Sequence, residues 1–316
     1  MKKLTSNIIK LKVMKKYFLF ILIVISFIYS SCDKPNPTEL INDPSESENL
    51  DVEIIAKDFD NEFYSNGFDT SGVTEDIRNY SSLISVSGIK LTRNGQTDYI
   101  SSALTMLFDK TKPFKSPKGI ILGYNTIIPG IIKFNDIAAR LTNYRVRYLE
   151  DGVLIDTVLG KKYELFSFNG RSFNDPFTYP YNSSIAFLYN PFIGQPSGFD
   201  IVTPKEITGV VKFVDLRNQN RFSAELTWNG ENVNNFSIIL GGVRNSNQQV
   251  VPFFRIKTKD DGRLIIPNSI LRNIPRDRFN KISFTFIRKF DKLTPLQNAD
   301  IYVVSQSIHT IIIDIP

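Results

Sequence analysis

The sequence predicts an all-β protein, with two β-sandwich domains following an N-terminal signal peptide and a flexible tether. Three observations carry this. Apolar and polar residues alternate at period two through most of residues 84–315, turn chemistry interrupts the alternation at short intervals, and no long 3.6-residue period competes with it. The 316 residues suffice for one large or two medium domains, and a hydrophobic content of 42% supports sizeable cores.

The first element is an export signal over residues 1–31. Met14-Lys15-Lys16 forms a charged leader, and Tyr17–Tyr29 is an apolar run of 13 residues. A transmembrane helix needs about 20 apolar residues, so this run fits the core of a secretory signal, with Met14 an alternative start. Small Ser30 and Ser31 precede Cys32, the only cysteine. The stretch Tyr29-Ser30-Ser31-Cys32 resembles the bacterial lipoprotein signal, although Tyr29 stands where that signal has a Leu-like residue. The resemblance implies that Cys32 is lipidated and that several acyl chains anchor the protein in the bacterial outer membrane.

Residues 32–53 are read as the tether. Asp33, Glu39, Asp43, Glu46, Glu48, Asp51 and Glu53 stand against Lys34 alone, and Pro35, Pro37 and Pro44 break regular structure. Like charge and low hydrophobicity keep such a segment extended. A short helix is expected near Val52–Phe63.

The N-terminal β-rich domain is assigned to residues 54–202. Ile84–Leu91 and Gln96–Ile100 flank Arg93-Asn94-Gly95, a hairpin signal, and Tyr144, Val146 and Tyr148 lead through Glu150-Asp151-Gly152 to Val153 and Ile155. Loop chemistry at Gln195–Gly198 and a fresh strand at Ile207 place the boundary near Gly198–Pro204. In residues 203–316, Phe222, Ala224, Leu226 and Trp228 alternate toward an Asn229-Gly230 turn, followed by Phe236–Leu240, Val250–Lys257, the turn Asp260-Asp261-Gly262, Ile282–Phe286, Ile301–Val304 and Ile308–Ile315. Short strands spaced by turns are the sandwich signature. Asn268–Asn273, before Pro275, is expected to form one helical turn.

Asp261–Leu271 with Ile274-Pro275, followed by the strand Ile282–Arg288, resembles the Ig-like closing domain of uncharacterised Bacteroidota lipoproteins. This resemblance implies an Ig-like sandwich at the C-terminus of an envelope lipoprotein, and it brings no catalytic residues with it.

Composition excludes several functions. Lys+Arg is 38 against 32 Asp+Glu, but six of the lysines lie in residues 1–31, so the remainder is balanced. A neutral body argues against nucleic acid as partner. One Cys and one His exclude a disulfide framework, a multi-Cys metal site and a His cluster; no cofactor or metal is expected. Asp69-Thr70 resembles an aspartic-protease turn, but the glycine after Thr70 is missing and the second candidate, Asp156-Thr157, is followed by Val158. Asp58, Asp60 and Glu62 lack the glycine and late glutamate of a calcium loop. His309 is read as a strand-edge histidine, with no nucleophile elbow to serve.

The most suggestive segment is Phe173–Phe192, with seven aromatic residues in 20 positions and Pro176, Pro180 and Pro191 interrupting it. Aromatic faces on a loop can stack on sugars or enter a partner's pocket. Phe177, Tyr179, Tyr181 and Tyr189 are therefore the candidate binding residues, and packing in a core is the alternative. The expected function is a lipid-anchored, non-catalytic envelope module that binds a glycan, a surface protein or an outer-membrane protein, or plays a structural part. The alternative is an envelope hydrolase whose site the sequence does not reveal.

Overall fold

The computed structural model describes residues 50–54, 82–115, 117, 119, 121–150, 153–171, 176–216, 221–245, 250–296 and 299–316. Cys32, Asp58, Asp60, Glu62, Asp69 and Phe173 lie outside the described residues. Residues 43–316 form one compact unit.

The chain is nearly all β. Strand β1 (Asp51–Ile54) is followed by the hairpin β2 (Ser82–Arg93) and β3 (Gln96–Lys115). Its two-residue turn places Asn94 and Gly95 at φ of 50° and 76°, the left-handed pair that a tight hairpin needs and that Asn-Gly supplies. Then come β4 (Ile121–Thr126), β5 (Gly130–Phe134), β6 (Ile137–Ala138), β7 (Arg140–Glu150), β8 (Val153–Phe168), β9 (Ser184–Pro191) and β10 (Ser197–Val202). The C-terminal half holds β11 (Gly209–Leu216), β12 (Arg221–Trp228), β13 (Phe236–Arg244), β14 (Val250–Lys257), β15 (Arg263–Ile266), the single turn α1 (Asn268–Leu271), β16 (Phe279–Leu296) and β17 (Ala299–Asp314).

Ten strands form one large sheet, ordered β1-β14-β13-β16-β17-β2-β3-β8-β7, with β4 paired to β3. Two small sheets, β10-β9-β5-β6 and β11-β12-β15, cover parts of it. The result is two sandwich cores on one shared sheet. One core joins Phe222, Leu226 and Trp228 of β12 to Ile238 and Leu240 of β13 and Phe284 and Phe286 of β16. The other joins Ile132 and Phe134 of β5 and Phe187 of β9 to Ile84 and Val86 of β2 and Leu165 of β8. It also takes in Leu296, Ile301 and Val303 from the far end of the β16–β17 hairpin.

The boundary expected near Gly198–Pro204 therefore separates the two small covering sheets, but neither the large sheet nor the cores, since Leu296, Ile301 and Val303 belong to the core of the first half. Strand β17 runs parallel to β2, with Tyr302 opposite Leu83 and Ile312 opposite Arg93. Two other expectations differ from the structure. Val52–Ile54 is strand rather than helix, because Asp51-Val52-Glu53-Ile54 alternates and completes the sheet edge beside β14. Asn229-Gly230 does not close a hairpin: β12 and β13 belong to different sheets, and the Trp228 and Phe236 rings stack across the layers with centroids 4.9 Å apart.

Candidate functional site

The inner face of β17 carries Ile301, Val303, Ser305, Ser307, His309 and Ile311. Its apolar ends serve the two cores, and its polar middle lies between them. Opposite these residues stand Val86, Gly88, Lys90 and Thr92 on β2 and Phe286, Arg288 and Phe290 on β16. Two chain segments cross the sheet along this seam, and the polar side chains satisfy their backbone groups. Ile207 N donates to Ser307 Oγ at 2.9 Å, and Gly209 N donates to His309 Nδ1 at 2.8 Å. Accepting at Nδ1 places the imidazole proton on Nε2, which donates to Thr92 Oγ1 at 3.0 Å. His309 is 3% exposed on an interior strand, which corrects the strand-edge expectation. Burial and the nearby Lys90 ammonium pull its pKa down to about 4.

Arg288 and Asp260 form the deepest part of the seam, and both are fully buried. Arg288 Nε donates to Asp260 Oδ2 at 2.7 Å and Nη2 to Asp260 Oδ1 at 2.9 Å, a bidentate pair. Two of the other three guanidinium hydrogens reach the carbonyls of Lys205, at 3.1 Å from Nη1, and Asn229, at 2.6 Å from Nη2. Trp228 Nε1 donates to the same Asp260 Oδ1 at 2.8 Å. This group was not singled out in the sequence. Its signal was phase: Arg288 continues the inward series Ile282, Phe284, Phe286, where a charge is expected only if it is paired.

The four candidate binding residues come together, but not as an exposed loop. Phe177, Tyr179 and Tyr189 are buried, at 1%, 2% and 4% exposure, and Tyr181 is partly buried. Tyr179 is held from three sides: its hydroxyl bonds Ser305 Oγ at 2.8 Å, its backbone N donates to Ser101 Oγ at 3.0 Å, and its ring meets Tyr181 edge to face at 5.0 Å. Burial holds both phenols well above the usual tyrosine range. Both rings lie over Gly88, where a methyl group would overlap them, so glycine is what lets the segment approach the sheet. The expectation of exposed recognition rings is corrected for Phe177, Tyr179 and Tyr189. For Tyr189 the physical reason is alternation, since Ile185, Phe187 and Tyr189 share the inner face of β9; Phe177 and Tyr179 lie before the strand and pack into the same core, Phe177 against Phe134.

A cleft of about 230 Å³ opens at one end of the seam. Arg288 lies at its floor, Val202, Val233 and Phe290 give it apolar walls, and Asn182, Ser183 and Thr203 line the turn side. Lys205 and Glu231 close its rim as an ion pair at 2.5 Å. The cleft brings together an aromatic ring, an amide, a hydroxyl and two opposite charges, groups suited to holding a small polar molecule. Among the described residues no group of three His, Cys, Asp or Glu could hold a metal ion. Asp156, the second carboxylate considered for protease chemistry, pairs with Arg145 at 3.3 Å on the β7–β8 hairpin, remote in role from the seam.

No protein-family model, curated protein or solved structure matches the chain.

Proposed function

We propose that the protein is a lipid-anchored, non-catalytic module of the bacterial cell envelope, held in the outer membrane through Cys32, with the seam cleft as its ligand-binding site. The anchor rests on the leader, the short apolar run and the lone cysteine after small residues. The non-catalytic reading rests on one observation above others: both nitrogens of the single histidine are engaged in holding chain crossings, Nδ1 by Gly209 N–H and Nε2 by Thr92. An imidazole fixed in this way has no nitrogen left to activate a nucleophile. The ligands that suit the reading are a glycan or a segment of an envelope protein.

Metabolic labelling with a fatty-acid probe tests the anchor. The parent is expected to label and to fractionate with the outer membrane, and Cys32→Ala to do neither; a labelled Cys32→Ala chain overturns it. A glycan array and pull-down with residues 33–316, parent against Lys205→Ala/Glu231→Ala, tests the cleft. Hydrolysis of an envelope glycan or peptide that disappears in a folded His309→Asn variant would overturn the non-catalytic reading.

A further inference from the structure

The seam cleft indicates the class of its own ligand. Its charges are matched. At the floor Asp260 neutralises Arg288 through the bidentate pair, and at the rim Lys205 and Glu231 neutralise each other at 2.5 Å. An anion or a cation entering here leaves one charge uncompensated, at a cost that grows as water is excluded. A neutral ligand leaves both pairs intact.

The backbone on the turn side is already paired. Asn182 N donates to Pro204 O at 3.1 Å, Thr203 N to Ser183 O at 2.9 Å, and Ser183 N to Thr203 Oγ1 at 3.0 Å. The Lys205 carbonyl accepts from Arg288, and Pro204 has no N–H. An extended peptide binds through a row of free main-chain groups, which this wall does not present. Side chains remain. Among the described residues the Asn182 amide and the Ser183 hydroxyl make no hydrogen bond, and each can both donate and accept. Phe290, Val202 and Val233 add an apolar wall. A saturated ring with hydroxyls at its edge and C–H bonds on its faces matches this division, because each hydroxyl also donates and accepts while the C–H face packs on a phenyl ring. The volume of about 230 Å³ lies below the roughly 300–1,000 Å³ of pockets for drug-sized ligands, which leaves room for one such ring and not for a chain of them.

We propose that the cleft takes one uncharged monosaccharide unit, held by Asn182 and Ser183 beneath the Lys205–Glu231 pair, with a ring face against Phe290. The inference rests on the cleft being the ligand site, and it selects the glycan over the protein segment.

The test uses residues 33–316, which include the whole compact unit, and saturation-transfer NMR with the methyl glycosides of glucose, galactose, mannose and N-acetylglucosamine. Glucuronate, glucosamine and acetyl-triglycine amide serve as anionic, cationic and peptide probes. Asn182 sits at φ of 52°, so Asn182→Gly removes the amide without straining the turn, and Ser183→Ala keeps the backbone N–H that Thr203 accepts. At least one neutral glycoside is expected to receive saturation and to bind more tightly than the other three probes. Asn182→Gly/Ser183→Ala is expected to weaken it by roughly five- to thirtyfold, the effect of one or two net hydrogen bonds. Each single variant is measured as well, and the urea midpoint establishes that each is folded. No saturation of any neutral glycoside overturns the proposal, as does saturation that persists unchanged in the folded double variant. Tighter binding of glucuronate, glucosamine or the peptide, lost in that variant, overturns the sugar assignment and leaves the cleft a binding site. The pull-down that tests the cleft assumes no ligand class, so the two readings can fail separately.

Discussion

The Asp260–Arg288 pair gives the sharpest test of the seam. Asp260→Ala removes the acceptor for Arg288 Nε, one of two acceptors for Nη2, and the only partner of the Trp228 indole N–H. The carbonyls of Lys205 and Asn229 remain, but the guanidinium keeps its charge at zero exposure without a counter-ion. Breaking a buried pair from one side costs about 3–5 kcal/mol, and an orphaned buried N–H about 1–3 more, partly overlapping. A total of about 4–6 kcal/mol is a large share of a typical domain's stability. With a urea slope of about 3 kcal/mol/M, the midpoint should fall by roughly 1.3–2 M. Trp228 is the only tryptophan and sits on the pair, so its fluorescence follows the transition directly. Arg288→Met in the Asp260→Ala background should recover a substantial part of the loss, because the uncompensated charge goes with it. A midpoint within about 0.4 M of the parent for Asp260→Ala would refute the reasoning, since it would mean that water already solvates Arg288.

His309 predicts a pH dependence. Its folded pKa of about 4 lies below the ordinary histidine value of 6.5, so the unfolded chain binds more protons between these values. Its contribution is fully present above about 6.5, is lost as pH falls toward 4, and amounts to at most about 3 kcal/mol; urea midpoints at several pH values should show a shallower slope in His309→Asn, whose Oδ1 can still accept from Gly209. Tyr179→Ala/Tyr181→Ala should lower stability by at least about 3 kcal/mol, because it empties a core position and removes the partner of Ser305; a melting temperature near that of the parent would return these rings to the surface. Residues 203–316 alone should melt without cooperativity by circular dichroism, since the cut strips β17 of its entire parallel partner β2 and leaves a long apolar edge.

The sequence revealed faces better than neighbours. The β2–β3 hairpin was legible because Asn94-Gly95 encodes both the turn and the register. The α1 turn before Pro275 was legible because Pro and Asn limit it locally. Asn229-Gly230 misled because the same dipeptide suits any reversal, and here the chain changes sheet. The β17–β2 pairing was illegible: alternation states which side of a strand is buried, not which strand more than 200 residues away lies beside it. The seam followed the same pattern. Ser305, Ser307 and His309 stand in phase with Ile301, Val303 and Ile311, so their burial was readable, but the amides they serve belong to a crossing set only by tertiary structure. The aromatic crowding of residues 173–192 was real, but composition does not distinguish a core from a surface; among the described residues only Phe192, beyond the last inward position of β9, emerges from it.

The location of the polar seam follows from the width of the large sheet. Neighbouring strands rotate by roughly 20–25°, so nine strands in sequence accumulate close to a half turn. One flat second layer cannot stay in contact with a surface that turns so far. Two small sheets, each covering its own part, can do so, and this is the observed arrangement. Between them the chain must cross, and the backbone of a crossing segment cannot pair with a strand neighbour. Its amides still require acceptors once they are buried. Ser307 and His309 supply these to Ile207 and Gly209, Ser305 bonds the Tyr179 hydroxyl, and Arg288 gathers the carbonyls of Lys205 and Asn229. The side chains with the most chemical capacity are thus concentrated where two cores meet, for a structural reason. Binding capacity remains where this requirement does not reach, at the rim of the cleft, where Lys205 and Glu231 hold only each other.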